Sequence, residues 1–132
     1  MSDARDDPDT FWIEPEMRAI LPLEGFNLSK SLAKTIRQDR FRVTADRAFP
    51  LVIATCAAKN EGRQDTWINP DIEDAFCELH QRGYAHSIEC WEDGKLVGGL
   101  YGLALGRAFF GESMFSRATD ASKVALAWLV AR

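Results

Sequence analysis

A carboxylate set among aromatic side chains is the first place in this sequence where chemistry could sit. The stretch is Phe109-Phe110-Gly111-Glu112-Ser113-Met114-Phe115-Ser116. It alternates like a strand up to Phe110, then brings a glycine, a carboxylate and two hydroxyls together, and a helix opens around Asp120-Ala121-Ser122-Lys123. A strand that ends in a polar loop and passes into a helix is where α/β proteins place reactive groups, because the helix start offers free N–H groups and a positive dipole end. Glu112 is flanked by Phe109, Phe110, Met114 and Phe115, and a carboxylate in that much apolar surface is paired, neutralised or working. As a bare pattern, a glutamate at a strand end is more often solvated or bonded to local backbone than catalytic.

The elements that must position Glu112 follow from periodicity. At 132 residues the chain has room for one domain. Residues 1–10 are acidic and nearly free of apolar side chains, which predicts a disordered lead-in ahead of a domain over residues 11–132. Pro15 and Pro22 interrupt residues 11–27, which read as extended or irregular. Ser29 caps a helix over 30–38, with Lys30, Lys34 and Arg37 on one face and Leu28, Leu32 and Ile36 opposite. Residues 41–45 alternate as a strand, and 49–58 form a helix with Pro50 in its first turn. Asn69 and Pro70 start a helix that runs to residue 82 and stops at Gly83. A meander follows, with strands over 86–92 and 95–105 joined by the hairpin signal Asp93-Gly94, and a third strand from Ala108 to Gly111. Gly98, Gly99 and Gly102 in the middle strand predict a bulge or a close approach. The last helix, from Asp120 to Arg132, is apolar all round over Val124–Ala131, so it expects cover on several sides, and a folded neighbour is inferred.

Composition narrows the chemistry. Apolar residues make up 46% and charged residues 27%, ordinary for a globular chain, and the net charge is −4. Residues 28–47 carry six cations against two carboxylates, a local +4 that leaves −8 for the rest. Lys30, Lys34, Arg37, Arg40 and Arg42 can therefore meet phosphate, although a solvated face is the commoner meaning of such a patch. Cys56, Cys77 and Cys90 are odd in number, lie in apolar contexts and lack ligand spacing, which reads as reduced core thiols. His80 and His86 are too few for a His-rich metal site. No secretory leader and no run of about 20 apolar residues is expected to engage a membrane.

The order helix, meander, polar loop, helix is similar to the acetyltransferase (GNAT-like) α+β fold, an antiparallel meander sheet flanked by helices. Coenzyme A enzymes of that fold open the helix after the meander with a glycine-containing pyrophosphate loop. Here Arg117-Ala118-Thr119-Asp120-Ala121-Ser122 has no glycine and adds a carboxylate, which disfavours coenzyme A. The residues resemble instead the bacterial leucyl/phenylalanyl-tRNA–protein transferases. The segments that carry the likeness are Phe11-Trp12 with Pro15 and Arg18, Phe26 with Ser29, Ser31 and Leu32, Arg40-Phe41, Thr66-Trp67-Ile68, and Gly83 with His86, Ser87 and Glu89. It continues through Leu96-Val97-Gly98-Gly99-Leu100-Tyr101-Gly102 and Phe110 to Arg117, and on to Asp120-Ala121-Ser122-Lys123.

The resemblance implies transfer of Leu or Phe, sometimes Met, from aminoacyl-tRNA to the N-terminal Arg or Lys of a protein, marking it for degradation in the cytoplasm, with neither metal nor cofactor. Glu112 matches the family's acidic catalytic residue. Trp12 and Trp67 match tryptophans that meet the tRNA 3′ end, and Phe109, Gly111, Ser113 and Met114 would form the aminoacyl pocket. The cations Lys30, Lys34, Arg37, Arg40 and Arg42 would meet the tRNA. Family members extend further at both ends, with an Asp-x-Gln segment after the final helix, so the chain is expected to be truncated at both ends, its domain incomplete at the C-terminus. The full-length form is expected to be a monomer. A remnant that binds tRNA or protein without transfer is the alternative, and a coenzyme A acyltransferase the less favoured one.

Overall fold

The computed structural model describes residues 5, 6, 8, 9, 28–58, 66 and 68–131. Helix α1 (Lys30–Arg37) starts where the Ser29 hydroxyl accepts from the Leu32 N–H at 3.2 Å. Strand β1 (Arg42–Ala45) follows, then α2 (Phe49–Ala57), with Pro50 in the first turn, where a missing N–H costs nothing. Helix α3 (Pro70–Gln81) is capped by Asn69, whose Oδ1 accepts from the Ile72 N–H at 2.8 Å. Each cap of this kind contributes about 1 kcal/mol. Strands β2 (Ala85–Glu92), β3 (Lys95–Leu105) and β4 (Ala108–Ser116) make the meander, and α4 (Ala121–Ala131) ends the described chain. The four strands pair antiparallel in the order β1-β2-β3-β4. Asp93 and Gly94 both have positive φ, 54° and 78°, as a two-residue hairpin with the right-handed strand twist requires.

Every second residue of the sheet points the same way, and two cores result. On one face, Ala85, Tyr101 and Leu103 pack with Phe49, Val52, Ile53 and Cys56 of α2 and with Ile68 and Ile72 at α3. On the other, Ile88, Cys90 and Leu100 pack with Leu32, Phe41 and the Ala121, Val124 and Ala125 side of α4. The architecture is α+β, a four-stranded antiparallel sheet between two helical layers. No helix among the described residues is long and apolar enough to cross a membrane.

The expected elements from α1 through β2 lie within one residue of where the periodicity puts them. The third strand of the meander does not end at Gly111. It runs on to Ser116, because Ser113–Ser116 continue the ladder against Tyr101–Gly98 once one residue has been absorbed. The segment expected as a polar loop is therefore mostly strand, and only residues 117–120 separate it from α4. The glycines of β3 prove to serve close approach: a Cβ built on Gly98 lies 2.5 Å from the Ala121 Cβ and 3.0 Å from the Ala121 carbonyl carbon.

A buried charge ties β1 to β2. Glu89 is fully buried; its Oε1 accepts from the Thr44 hydroxyl at 2.6 Å and the Arg47 N–H at 3.1 Å, and its Oε2 accepts from the Ser87 hydroxyl. Thr44 in turn accepts from the Trp91 indole N–H at 2.8 Å. A carboxylate out of water is tolerable only with such a set of donors.

Two stability outcomes follow from this packing. Gly98→Ala should lower unfolding free energy by about 1–3 kcal/mol through overpacking against α4. Gly111→Ala, where an added Cβ meets nothing within 4 Å, should change packing little; urea titration with an unchanged m-value checks both. Glu89→Ala strands three donors and should cost about 3 kcal/mol or more, and Glu89→Gln, which keeps an acceptor, should cost less.

Candidate functional site

Strand β4 pairs Tyr101 with Ser113 and Gly102 with Gly111, so Glu112 is the one residue without an opposite number. That makes it the extra residue of a β-bulge, a device that bends a strand and re-aims a side chain. Gly111 and Met114 share the α4 face with their partners Gly102 and Leu100, and Ser113 shares the opposite face with Tyr101. Glu112 lies between them, close enough for its charge to act on the Tyr101 hydroxyl.

Tyr101 is fully buried, and its hydroxyl has no hydrogen-bond partner among the described residues. Its ring is held edge-on by Phe49 at 5.8 Å and Phe76 at 5.3 Å between centroids. Burial, then the neighbouring Cys56, Glu112 and Glu73, hold this phenol well above its ordinary pKa, so it stays protonated and can only be a donor to a charged acceptor. Glu73 is itself held by Arg5, which donates to its Oε2 at 2.7 Å and to the Ile68 carbonyl at 3.1 Å.

The other expected site residues divide. Phe109 packs on the α4 side with Ala104 opposite, and Met114 is half exposed on that side, whereas Ser113 and Phe115 lie on the Tyr101 side. The sheet thus stands between Phe109, Gly111 and Met114 on one hand and Ser113 and Phe115 on the other. Trp12 and Trp67 lie outside the described residues. The neighbours of Trp67 in the chain, Thr66 and Ile68, are buried, and Ile68 belongs to the Tyr101 core. Lys30, Lys34 and Arg37 are exposed on α1. Arg40 donates to Glu92 at 2.7 Å and lies 5.0 Å from the Phe41 ring centroid; Arg42 is exposed on β1. Arg40 and Arg42 border a groove of about 890 Å³ between α1, β1 and α4, together with Leu28, Ile36, Val124 and Trp128. Three strand spacings, roughly 14 Å, separate β1 from β4, so the sheet order keeps these cations away from Glu112.

The start of α4 does not form an open phosphate cradle. Ser116 supplies its hydroxyl to the Ser122 N–H at 3.3 Å, and Asp120 sits one residue ahead of the helix with its carboxylate 3.7 Å from Lys123. Two of the thiols are poorly disposed to act as nucleophiles: burial, with Glu89 adding to it, pushes Cys90 up to about 12, and burial followed by Glu73 and Asp74 raises Cys77. None of the three cysteines is in a disulfide. Among the described residues, no group of three His, Cys, Asp or Glu side chains could hold a metal ion.

A second polar cluster went unread in the sequence. Asp46, in a left-handed conformation with φ 56°, accepts at Oδ2 from His86 Nδ1 at 2.8 Å and at Oδ1 from the Ser87 N–H at 3.0 Å. His80 Nδ1 donates to the Ala85 carbonyl at 2.8 Å, and its ring stacks on Phe49 at 4.4 Å. These groups fasten β1 and α3 to β2. No sequence spacing announces them, since Asp46 is 34 and 40 residues from its histidines. The burial of the Tyr101 hydroxyl was also invisible: the flanking glycine Gly102 shows close packing, but not where a hydroxyl ends.

The leucyl/phenylalanyl-tRNA protein transferase family matches residues 20–132. A leucyl/phenylalanyl-tRNA–protein transferase of Rhizorhabdus wittichii is 68% identical over 132 residues, all of this chain and 53% of that protein. One of Zymomonas mobilis is 65% identical over 132 residues, covering 49% of its length, and one of Novosphingobium aromaticivorans 61% over 131 residues, covering 50%. The chain spans about half the length of these curated relatives. With Glu112 inside the matched region and the match covering most of the sequence, the chain belongs to the leucyl/phenylalanyl-tRNA protein transferase family.

Proposed function

We propose that the protein to which this chain belongs moves Leu or Phe, and sometimes Met, from aminoacyl-tRNA to the N-terminal Arg or Lys of an acceptor protein, marking it for degradation. The observation that carries this reading is the family match over residues 20–132, which contains the Gly111-Glu112-Ser113-Met114 run. The domain over residues 11–132 is then part of an acetyltransferase-like fold, working as a monomer in the cytoplasm. The α+β meander with helices on both faces is compatible with that fold, and the occupied start of α4 disfavours its coenzyme A version.

The reaction is aminolysis of an ester. The acceptor's neutral amine attacks the aminoacyl carbonyl, a C–N bond forms, the C–O bond to the tRNA 3′ oxygen breaks, and the amine's proton ends on that oxygen. Glu112 is assigned to hold the cationic acceptor or relay that proton, and its standing outside the β3–β4 ladder supports that assignment. Trp12 and Trp67 are assigned to the adenine end by stacking, and Phe109, Gly111, Ser113 and Met114 to the aminoacyl side chain. Lys30, Lys34, Arg37, Arg40 and Arg42 are assigned to tRNA phosphates. A second reading is a chain that binds tRNA or protein without transfer.

Transfer of labelled Phe from Phe-tRNA to an Arg-terminated peptide tests the reading. Glu112→Ala should lose about 100-fold or more while still melting cooperatively. Phe-tRNA binding with no product from the unaltered chain would select the second reading. Phe-tRNA affinity should also fall steeply with salt. Changing Lys34 and Arg37 together to Ala should flatten the log–log slope by about 2; an unchanged slope removes the α1 cations from the interface.

A further inference from the structure

The fastening of β1 to β2 uses only one of the two ring nitrogens of His86. Nδ1 is bonded to Asp46 Oδ2 at 2.8 Å, and among the described residues nothing bonds to Nε2. The side chain is 38% exposed, so a ligand can reach it. Asp46 is fixed from its own side: its Oδ1 accepts from the Ser87 N–H at 3.0 Å, and its N–H donates to the Ser87 carbonyl at 2.9 Å. A carboxylate anchored in this way and bonded to Nδ1 selects one tautomer of the neutral ring, with the proton on Nδ1 and a lone pair on Nε2. The polar neighbours of His86 on β2 are already committed. The Ser87 hydroxyl donates to Glu89, and Glu89 takes three donors. His86 is the member of this run with a basic atom to spare.

The register places that atom near the assigned aminoacyl pocket. Ala85 packs on the α2/α3 side and Ile88 and Cys90 on the α4 side, so alternation puts His86 on the α4 side. There His86 pairs with Gly102, and Gly102 with Gly111. Neither glycine raises a side chain, and the edge of the Phe109 ring lies over Gly102, 2.7 Å from where a Cβ would be. The row therefore runs from His86 past the Phe109 ring to Gly111, with Glu112 as the extra residue beside it. Strands β2 and β4 are two strand spacings apart, roughly 10 Å. We propose that His86 is the general base and acid of the transfer: Nε2 takes a proton from the acceptor's amine as the C–N bond forms and returns it to the tRNA 3′ oxygen as the C–O bond breaks. Asp46 is the positioning residue that holds the ring. The proposal rests on the transfer reading and leaves Glu112 to hold the cationic side chain of the acceptor. One proton is taken and one returned, so His86 ends the cycle as it began.

His86→Asn separates this role from mere fastening. The Asn amide can still donate to Asp46 as Nδ1 does, but it carries no basic nitrogen. In transfer of labelled Phe from Phe-tRNA to an Arg-terminated peptide, kcat should fall about 100-fold with KM little changed, while the melting temperature stays close to that of the unaltered chain. An unchanged kcat in His86→Asn overturns the proposal. Nitrogen NMR of the unaltered chain gives a readout that needs no turnover. The probe is an adenosine whose 3′ oxygen is replaced by a nitrogen carrying Phe as an amide, added together with the Arg-terminated peptide. The His86 Nε2 signal should shift and the His80 signals should stay. A probe that binds, as seen at the Phe109 ring protons, and leaves Nε2 unmoved overturns the proposal with the transfer reading intact. A probe that moves neither, in a chain that makes no product, sinks the transfer reading and the proposal with it. Should His86→Asn not fold, Asp46→Asn serves beside that spectrum: the Nδ1 and Nε2 signals should lose their fixed tautomer and kcat should fall about 10-fold, and an unchanged kcat with the tautomer lost overturns the proposal.

Discussion

The pairing of β3 with β4 is the constraint on which both the fold and the candidate site depend. Strand β3 is covered on both faces, so each of its residues is committed to one core or the other, and a slip of one position would exchange them. The ladder with β4 nevertheless contains one such slip, between Tyr101 and Gly102. It is tolerated because Gly102 has no side chain: a Cβ there would run into the Phe110 carbonyl and the Phe109 ring. The slip lets Phe109–Gly111 and Ser113–Ser116 each keep register with β3 while Glu112 stands outside both. The glycine that permits the bulge and the carboxylate that the bulge re-aims are thus two halves of one local solution.

Two glutamates of the sheet differ in their surroundings. Glu89 lies on the row Thr44–Glu89–Gly99–Phe115, whereas Glu112 is the extra residue beside the row Ser87–Tyr101–Ser113. Glu89 is fully buried and takes three donors from rigid positions, so its charge is spent on holding β1 and β2 together. A carboxylate saturated by buried donors has nothing left for a substrate. Glu112 is partly exposed, so under the transfer reading it is the one of the two that a substrate can reach.

How much of this was legible in the sequence depends on the range of the interaction. Caps and turns act over three or four residues, so Ser29, Asn69-Pro70 and Asp93-Gly94 announced their elements almost to the residue. The β3 glycines announced a bulge or a close approach, and both occur, at Gly102 and at Gly98, but they did not say which residue of β4 would be the extra one: Glu112-Ser113-Met114-Phe115-Ser116 carries hydroxyls and a charge where a buried strand would carry Val or Ile, and the polar run looked like a loop. Glu89, Asp46 and Tyr101 were illegible for another reason. Their partners come from strands and helices tens of residues away, and nothing in local spacing specifies which donor ends beside which acceptor. The motif containing Glu112 drew attention to this stretch of chain, while its standing outside the ladder is a matter of register visible only in the sheet.

The separation of the candidate groups constrains how a substrate could be held. The α1 and β1 cations lie at one edge of the sheet, with α1 on the α4 side; Glu112 lies on the strand at the other edge. A small ligand cannot bridge roughly 14 Å of sheet. Under the transfer reading, phosphate contacts at Arg42 and chemistry at Glu112 therefore require a long, stiff substrate laid across the β2–β3 direction, as an acceptor stem with an extended 3′ end would be. The geometry also separates the two contributions. The cations would set affinity and its salt dependence, since they touch only backbone charge. The β3–β4 bulge would set rate, since it alone positions the acid. A change on α1 should then be felt in binding, and a change at Tyr101, Gly102 or Glu112 in turnover, with the sheet between them carrying no shared side chain through which one could substitute for the other.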